Sequence, residues 1–518
     1  MSTGNRKLIR GRYVIADPTA LPAGGIVDDG AVVVENDKIV AVGTNDEMVR
    51  QFPDADRLGS ERHVVMPGLV NSHAHGYGGI SPFHRGVLDD YVDPWLFDLP
   101  FQKPIDAYLD TLYENICMLR SGVTTALYSG LIRDPMRVAE EMRAAIRAYD
   151  DVGMRLAFTV PAQDREYLVY GDEERFIASL PGILPARAAS IVSSRRHFSS
   201  DEFLNLLEEL IAEYADHPRV NILAGPQGPI WCSDGLLARL RELVEKYDLG
   251  VQVHLAESTV QRDISYQASS GSGVEHLREL GLLGPKTSLA HGIWLTDTDI
   301  DICAESGTTV CHNASCNLRL HMGVAPVVRM LERGVNVAIG SDSTTFDNDD
   351  DFLKELRVVS IIHRLPHGYE HFPTPSASDV LRMATVNGAR ATTLESEIGV
   401  LEPGRQGDIV LLNFDRMTTP YISPDVHIAD AIIALGVGDD VDTVLVAGEV
   451  VVEDGKVTTV DEEAVVREIA ADAAKPLDPE FKSDVEFARE IRPHVEKYYA
   501  EWQHRRAIEP YCSPNPRR

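Results

Sequence analysis

The chain has 518 residues, 44% of them apolar, and its 80 acidic against 49 basic residues give a formal net charge of −31. Such a surface repels nucleic acid and anionic membranes, and the length calls for one large domain with additions or for two to three domains. No run approaches the roughly 20 apolar residues of a membrane span, and the start, MSTGNRKLIRGRYVIADPTA, has no signal-type apolar segment, so a cytoplasmic protein is expected.

Residues 1–65 read as β structure. In them GAVVVENDKIVAVG is two short strands around an Asn-Asp turn. From 66 to 395, strands and helices alternate. The first strand ends near Val70. Seven more run Thr124–Ser129, Met154–Val160, Val220–Ala224, Val251–Leu255, Thr287–His291, Thr308–His312 and Val335–Gly340. Between them SDEFLNLLEELIAEYADH shows a Ser/Asp start and leucines at helical spacing, and SDGLLARLRELVEKYDLG is a helix closed by Gly250. The run DNDDD at 347–351 lacks the sixth-position glycine and twelfth-position glutamate of a calcium loop and reads as a solvated loop or helix start. Residues 396–460 return to β texture, in GDIVLLNF and VDTVLVAGEVVVEDGKVTTV, and residues 461–518 read as a helical C-terminal extension.

Eight β/α units predict an α/β fold built on a closed (β/α)8 barrel of TIM type. The two β-rich ends would pair into one small β-sandwich domain. A doubly wound open sheet is the alternative, but no G-x-G-x-x-G follows a strand. The six cysteines form no C-x-x-C pair and read as reduced thiols.

In such a barrel, chemistry gathers at the C-terminal strand ends. The first end, in MPGLVNSHAHG, carries His73 and His75, which alternate onto one face of a strand. The fifth, VQVHLAES, carries His254 and Glu257; the sixth, SLAHG, His291; the eighth, AIGSDS, Asp342. Singly, each is an ordinary polar residue at a strand end. Together, imidazoles and a carboxylate suit Zn²⁺, Fe²⁺ or Co²⁺, and a glutamate beside a metal-bound water could move protons.

The same segments resemble the metal-binding stations of the amidohydrolase superfamily. The finer resemblance is to the branch holding cytosine deaminase, S-adenosylhomocysteine deaminase and the s-triazine hydrolases. It rests further on HRGVLDDYVDPWL at 84–96, VCHNASCNLRLHMGVAPV at 310–327 and IGVLEPGRQGDIVLL at 398–412. Ala314, Cys316 and Ser343 depart from the usual pattern, as does GYGGISPF after the histidine pair.

The resemblance implies that His73, His75, His254 and Asp342 hold one divalent metal, Zn²⁺ foremost. It implies that Glu257 is the proton shuttle and that His291 orients the water or polarises the substrate. The fourth strand ends in NILAGPQGP with no lysine to carboxylate, which argues for a mononuclear site. The implied activity is attack by a metal-bound hydroxide on an amino-substituted N-heterocycle of purine, pyrimidine, pterin or triazine type, with release of ammonia. Hydrolysis of a urea, carbamate or thiocarbamate is the rival, and a non-catalytic scaffold is the reading from another class. Trp95, His312 and Asn317 are candidate substrate contacts, with Arg133 or Arg195 for an anionic group. A small-molecule substrate and a homo-oligomer are expected.

Overall fold

The computed structural model describes residues 6–269, 271–342, 345–364 and 374–502. The chain begins with β1 (Arg6–Ile15), β2 (Ile26–Glu35), β3 (Lys38–Thr44) and β4 (Asp56–Pro67). β2 and β3 form the expected hairpin, turning at Asn36, whose φ of 56° is the left-handed conformation that asparagine tolerates.

β4 leads almost directly into a second sheet. Gly68 sits between the two, and a side chain there would collide with Thr124, whose Oγ1 lies 2.0 Å from where a Cβ would stand. Next come β5 (Leu69–Ala74), β6 (Val123–Ser129), β7 (Arg155–Ala162), β8 (Val220–Pro226), β9 (Val251–Leu255), β10 (Thr287–His291), β11 (Thr309–His312) and β12 (Asn336–Ile339). They pair in chain order, all parallel. Almost every residue in them is buried, because helices cover the outside and side chains fill the inside; hence their near-continuous apolar texture. These are the eight strands expected from the sequence, with ends shifted by a few residues.

The seam between β12 and β5 closes just past β12. Asp342 N donates to His73 O at 2.8 Å and Ser341 N to Asn71 Oδ1 at 3.0 Å, while Asn71 Nδ2 donates to Ser341 Oγ at 2.7 Å.

The late β segments are β13 (Ile409–Asn413), β14 (Val441–Val446), β15 (Glu449–Glu453) and β16 (Lys456–Val457). They join the N-terminal strands in one sheet, ordered β16-β15-β14-β13-β4-β1-β2-β3. The joint is β4 against β13, with Val65 opposite Leu411. The β2–β3 turn then packs against the segment just before β13, where Gly407 N donates to Asp37 O at 2.8 Å. Side chains of both chain ends share one core, including Ile9, Val32, Val65, Leu411 and Leu445. The two sheets are also tied by a buried ion pair: Arg155 at the start of β7 meets Asp408 through Nε at 2.9 Å and Nη2 at 3.1 Å.

The helix Ser200–Glu213 starts at a capping box of Ser199 and Glu202, as its Ser/Asp start implied. The helix Asp234–Tyr247 ends differently from expectation. Asp248, at φ 55°, takes the left-handed position, and Gly250 serves closeness instead: a Cβ there would lie 2.8 Å from Leu223 and 2.9 Å from Thr393. Of the acidic run, Asp351 caps the helix Phe352–Ile362, but Asp350 is only 1% exposed, so the run is not wholly solvated.

After β16 come the helices Glu462–Ala473 and Pro479–Ala500. The second buries Phe487, Ile491, Val495 and Tyr499, four apart, against Tyr170, Phe176, Ile191 and Ile230 from the segments after β7 and β8. Among the described residues no helix is long and apolar enough to cross a membrane.

Candidate active site

His73 lies within β5, His75 one residue past it, His254 within β9, Glu257 two past it, His291 at the last position of β10, and Asp342 beyond β12. Parallel pairing brings all six to one end of the barrel. The ligand atoms of His73, His75 and His254 lie within 4.8 Å of one another, as do those of His73, His291 and Asp342. Nε2 of His75 is 3.4 Å from Nε2 of His254 and 3.2 Å from Asp342 Oδ1. Nε2 of His73 is 3.9 Å from the same oxygen, and Nε2 of His291 is 3.6 Å from Asp342 Oδ2.

The far side of each ring explains why these nitrogens point inward. His73 Nδ1 lies 2.8 Å from Gln252 Oε1; the Gln252 amide nitrogen donates to Ser72 O at 2.9 Å, so the oxygen must face the imidazole. His75 Nδ1 lies 2.7 Å from Ser129 O, and His254 Nδ1 lies 2.9 Å from Gln227 O. All three partners are acceptors. Each ring therefore carries its proton on Nδ1 and presents a bare Nε2 lone pair to the common point.

Electrostatics agrees. Burial first, and then the neighbouring imidazoles, push His73 down to about 3 and His254 well below its usual range, keeping both neutral. Burial would raise Asp342, but the imidazoles of His75, His73 and His291 around it hold it well below the carboxylate range, ionised. Burial raises Glu257, opposed by His291. Nδ1 of His291 lies 3.0 Å from Asn317 Oδ1 and 3.3 Å from Asn313 Nδ2. The backbone is strained here: Ala256, His291 and Asp342 all have φ between 54° and 73°. Non-glycine residues in that region cost on the order of 1–3 kcal/mol each and cluster at functional sites.

The donor set tests well against a metal. Three imidazole nitrogens and one carboxylate oxygen match the N/O ligands of a divalent ion such as Zn²⁺, and the buried His73 Nε2 has no hydrogen-bond partner in the protein. The segment after β8 supplies a carbonyl to His254 rather than a ligand, so the residues present fit one ion.

His75, His254, Glu257, His291 and Asp342 form the floor of a cavity of about 1470 Å³. Trp95, Tyr77, Tyr170 and Trp231 contribute its aromatic wall, and Tyr499 of the C-terminal helix also reaches it. Trp95 thus lines the cavity while packing in the core. His312 and Asn317 do not sit at the mouth. His312 ends β11, fully buried, with its ring 5.2 Å from that of His363, and Asn317, on the helix Ala314–Arg319 that follows, is fully buried behind His291. Arg133 reaches the cavity but is paired with Asp110 at 2.6 Å. Arg195 also reaches it, lying 5.1 Å from the Phe101 ring, and burial lowers it to about 10. Ala314 and Cys316 are buried, and Ser343 lies outside the described residues.

The backing residues were the ones that sequence reading missed. Gln252 stands two before His254, hence on the same strand face, and that spacing was its signal. Asp93, which accepts from Ser258 at 2.6 Å and from Tyr170, had no local signal.

The sequence profile of the Amidohydrolase family matches residues 64–451, and that of an imidazolonepropionase-like composite domain of bacteria matches residues 30–55. The chain belongs to the amidohydrolase family. It is a hydrolase acting on non-peptide carbon–nitrogen bonds, of the metal-dependent aminohydrolase kind. Among similar proteins, the 5'-deoxyadenosine deaminase of Methanothermobacter thermautotrophicus is 32% identical over 473 residues, covering 90% of this chain and 98% of that one. The 5-methylthioadenosine/S-adenosylhomocysteine deaminase of Desulfitobacterium hafniense strain Y51 is 30% identical, covering 87% and 95%. In fold, the chain is similar to an adenosine deaminase from Xanthomonas campestris crystallised with bound zinc, at a TM-score of 0.75 and 24% identity over 93% of this chain and 98% of that one.

Proposed function

We propose that the protein deaminates the adenine ring of a 5'-substituted adenosine, with one divalent ion held by His73, His75, His254 and Asp342. Three bare imidazole nitrogens aimed at one ionised aspartate carry the reading. The deaminase relatives supply the substrate class. Zn²⁺ is the proposed ion, with Fe²⁺ or Co²⁺ as alternatives, since all accept this donor set.

A bound divalent ion supplies Lewis-acid activation of a water at neutral pH. Glu257 takes a proton from that water and passes it to the departing amino nitrogen. The buried carboxyl, raised above its ordinary range, suits both halves of that transfer. His291, fixed from behind by Asn317, faces Asp342 and stabilises negative charge on the adduct. One water is consumed, one ring C–NH₂ becomes C=O, and ammonia leaves. The aromatic wall offers faces on which a purine stacks. A cavity of about 1470 Å³ exceeds the roughly 300–1,000 Å³ of an ordinary small-molecule pocket and leaves room for a ribose and its 5' extension.

The test is ammonia release by metal-replete protein from 5'-deoxyadenosine, 5'-methylthioadenosine, S-adenosylhomocysteine and adenosine, with pyrimidines, pterins, triazines and ureas alongside. Turnover of the 5'-substituted adenosines is expected. Turnover confined to ureas or triazines would overturn the substrate class, and inertness to all would overturn the proposal.

A further inference from the structure

Two carboxylates outside the histidine cluster meet over Gly78. Glu114 comes from the helix Ala107–Arg120 and is fully buried; Asp350 comes from the acidic run and is 1% exposed. A methyl on Gly78 would lie 2.7 Å from Glu114 Oε1 and 3.1 Å from Asp350 Oδ2, so both groups converge on one spot.

Glu114 Oε1 accepts from Gly78 N at 2.8 Å. Glu114 Oε2 and both oxygens of Asp350 are buried and have no hydrogen-bond partner. The Ser341 hydroxyl, which accepts from Asn71 Nδ2 at 2.7 Å, faces Asp350 and favours its charged form. The neighbouring cations are committed elsewhere. Arg85 and Arg133 both bind Asp110, and Lys354 binds Asp347 at 2.9 Å and Asp349 at 2.5 Å.

Two buried carboxylates served by one backbone N–H and one hydroxyl, with no cation of their own, are among the costly arrangements a protein can hold. One shared proton would engage at most two of the three free oxygens. A divalent cation would cancel both charges, and a monovalent one would cancel one and leave the other to a shared proton.

We propose that Glu114 and Asp350 form a second cation site, separate from the imidazole cluster, for a hard, oxygen-seeking ion of the Ca²⁺, Mg²⁺, Na⁺ or K⁺ class. Every free donor is oxygen, and the nearby Cys117 thiol is held protonated by burial and by these carboxylates, so a soft metal gains nothing here. The ion links the helix Ala107–Arg120, whose Glu114 holds the loop after His75 through Gly78 N, to the segment after Asp342.

The experiment uses full-length protein stripped with chelator and reloaded with Zn²⁺. It is melted with CaCl₂, MgCl₂, NaCl or KCl against N-methylglucamine chloride at equal ionic strength, and bound Ca, Mg, Na and K are counted by elemental analysis. Expected is a saturable rise in Tm with one of the four, about one equivalent of it bound, and loss of both in Glu114→Gln/Asp350→Asn. The salt that acts tells a divalent from a monovalent ion. The proposal is overturned if no salt exceeds the control, or if the double variant responds as the wild type does. Should the variant not fold, the wild-type melting and stoichiometry still decide.

Discussion

Gln252 and His73 share a hydrogen bond of 2.8 Å across the barrel interior, and the other end of the Gln252 amide is fastened to Ser72 O. The amide fixes both tautomer and angle of the imidazole. Gln252→Leu keeps the volume and removes the acceptor. Metal affinity is expected to fall about 10–100-fold, the usual cost of losing such a backing group. Competition with a chelator measures it; unchanged affinity would show that packing alone holds the ring.

His254→Ala removes a proposed ligand outright. Metal content, read by elemental analysis, is expected to drop along with rate. Full occupancy in this variant would mean that His254 is not a ligand.

Glu257→Gln keeps shape and removes proton transfer. Turnover is expected to fall by at least ~10²-fold with bound metal unchanged. A rate near that of the wild type would remove Glu257 from the mechanism.

Asp93 is buried, and burial raises its carboxyl to about 6 despite hydrogen bonds from Ser258 and Tyr170. A raised carboxyl favours the folded state while protonated. That contribution is complete below about pH 4 and is lost as pH rises through 6. Asp93→Asn stays neutral throughout. Its Tm relative to wild type is expected to improve between pH 5 and pH 7; a difference that does not change with pH contradicts the linkage.

Arg155 and Asp408 are 2% and 4% exposed and doubly bonded, and Asp408 also accepts from Ala447 N at 2.8 Å. Asp408→Ala leaves a buried guanidinium alone. A loss of about 3–5 kcal/mol is expected in denaturant unfolding, against a much smaller loss for an apolar pair in both positions.

What could be read from the sequence was what local periodicity encodes. The ends of four of the eight apolar runs located His73, His75, His254, Glu257, His291 and Asp342, because a buried parallel strand needs such a run and the barrel puts chemistry at its end. Positions set by contacts between distant segments were not legible. Asp350 looks solvated among its acidic neighbours, yet the helix start at Asp351 turns it inward. Asn317 looks like a mouth residue until the short helix after β11 turns it behind His291, and His312 closes β11 facing His363. The C-terminal helix was legible as a helix; its place beside the cavity depends on a partner surface after β7.

The bond from Asp342 N to His73 O both shuts the cylinder and sets two of the six site residues side by side. Ring closure and assembly of the reactive centre are thus a single event. A chain that has built only its early strands holds His73 and His75 but no aspartate to face them. The proposed four-ligand set is therefore complete only in the closed ring.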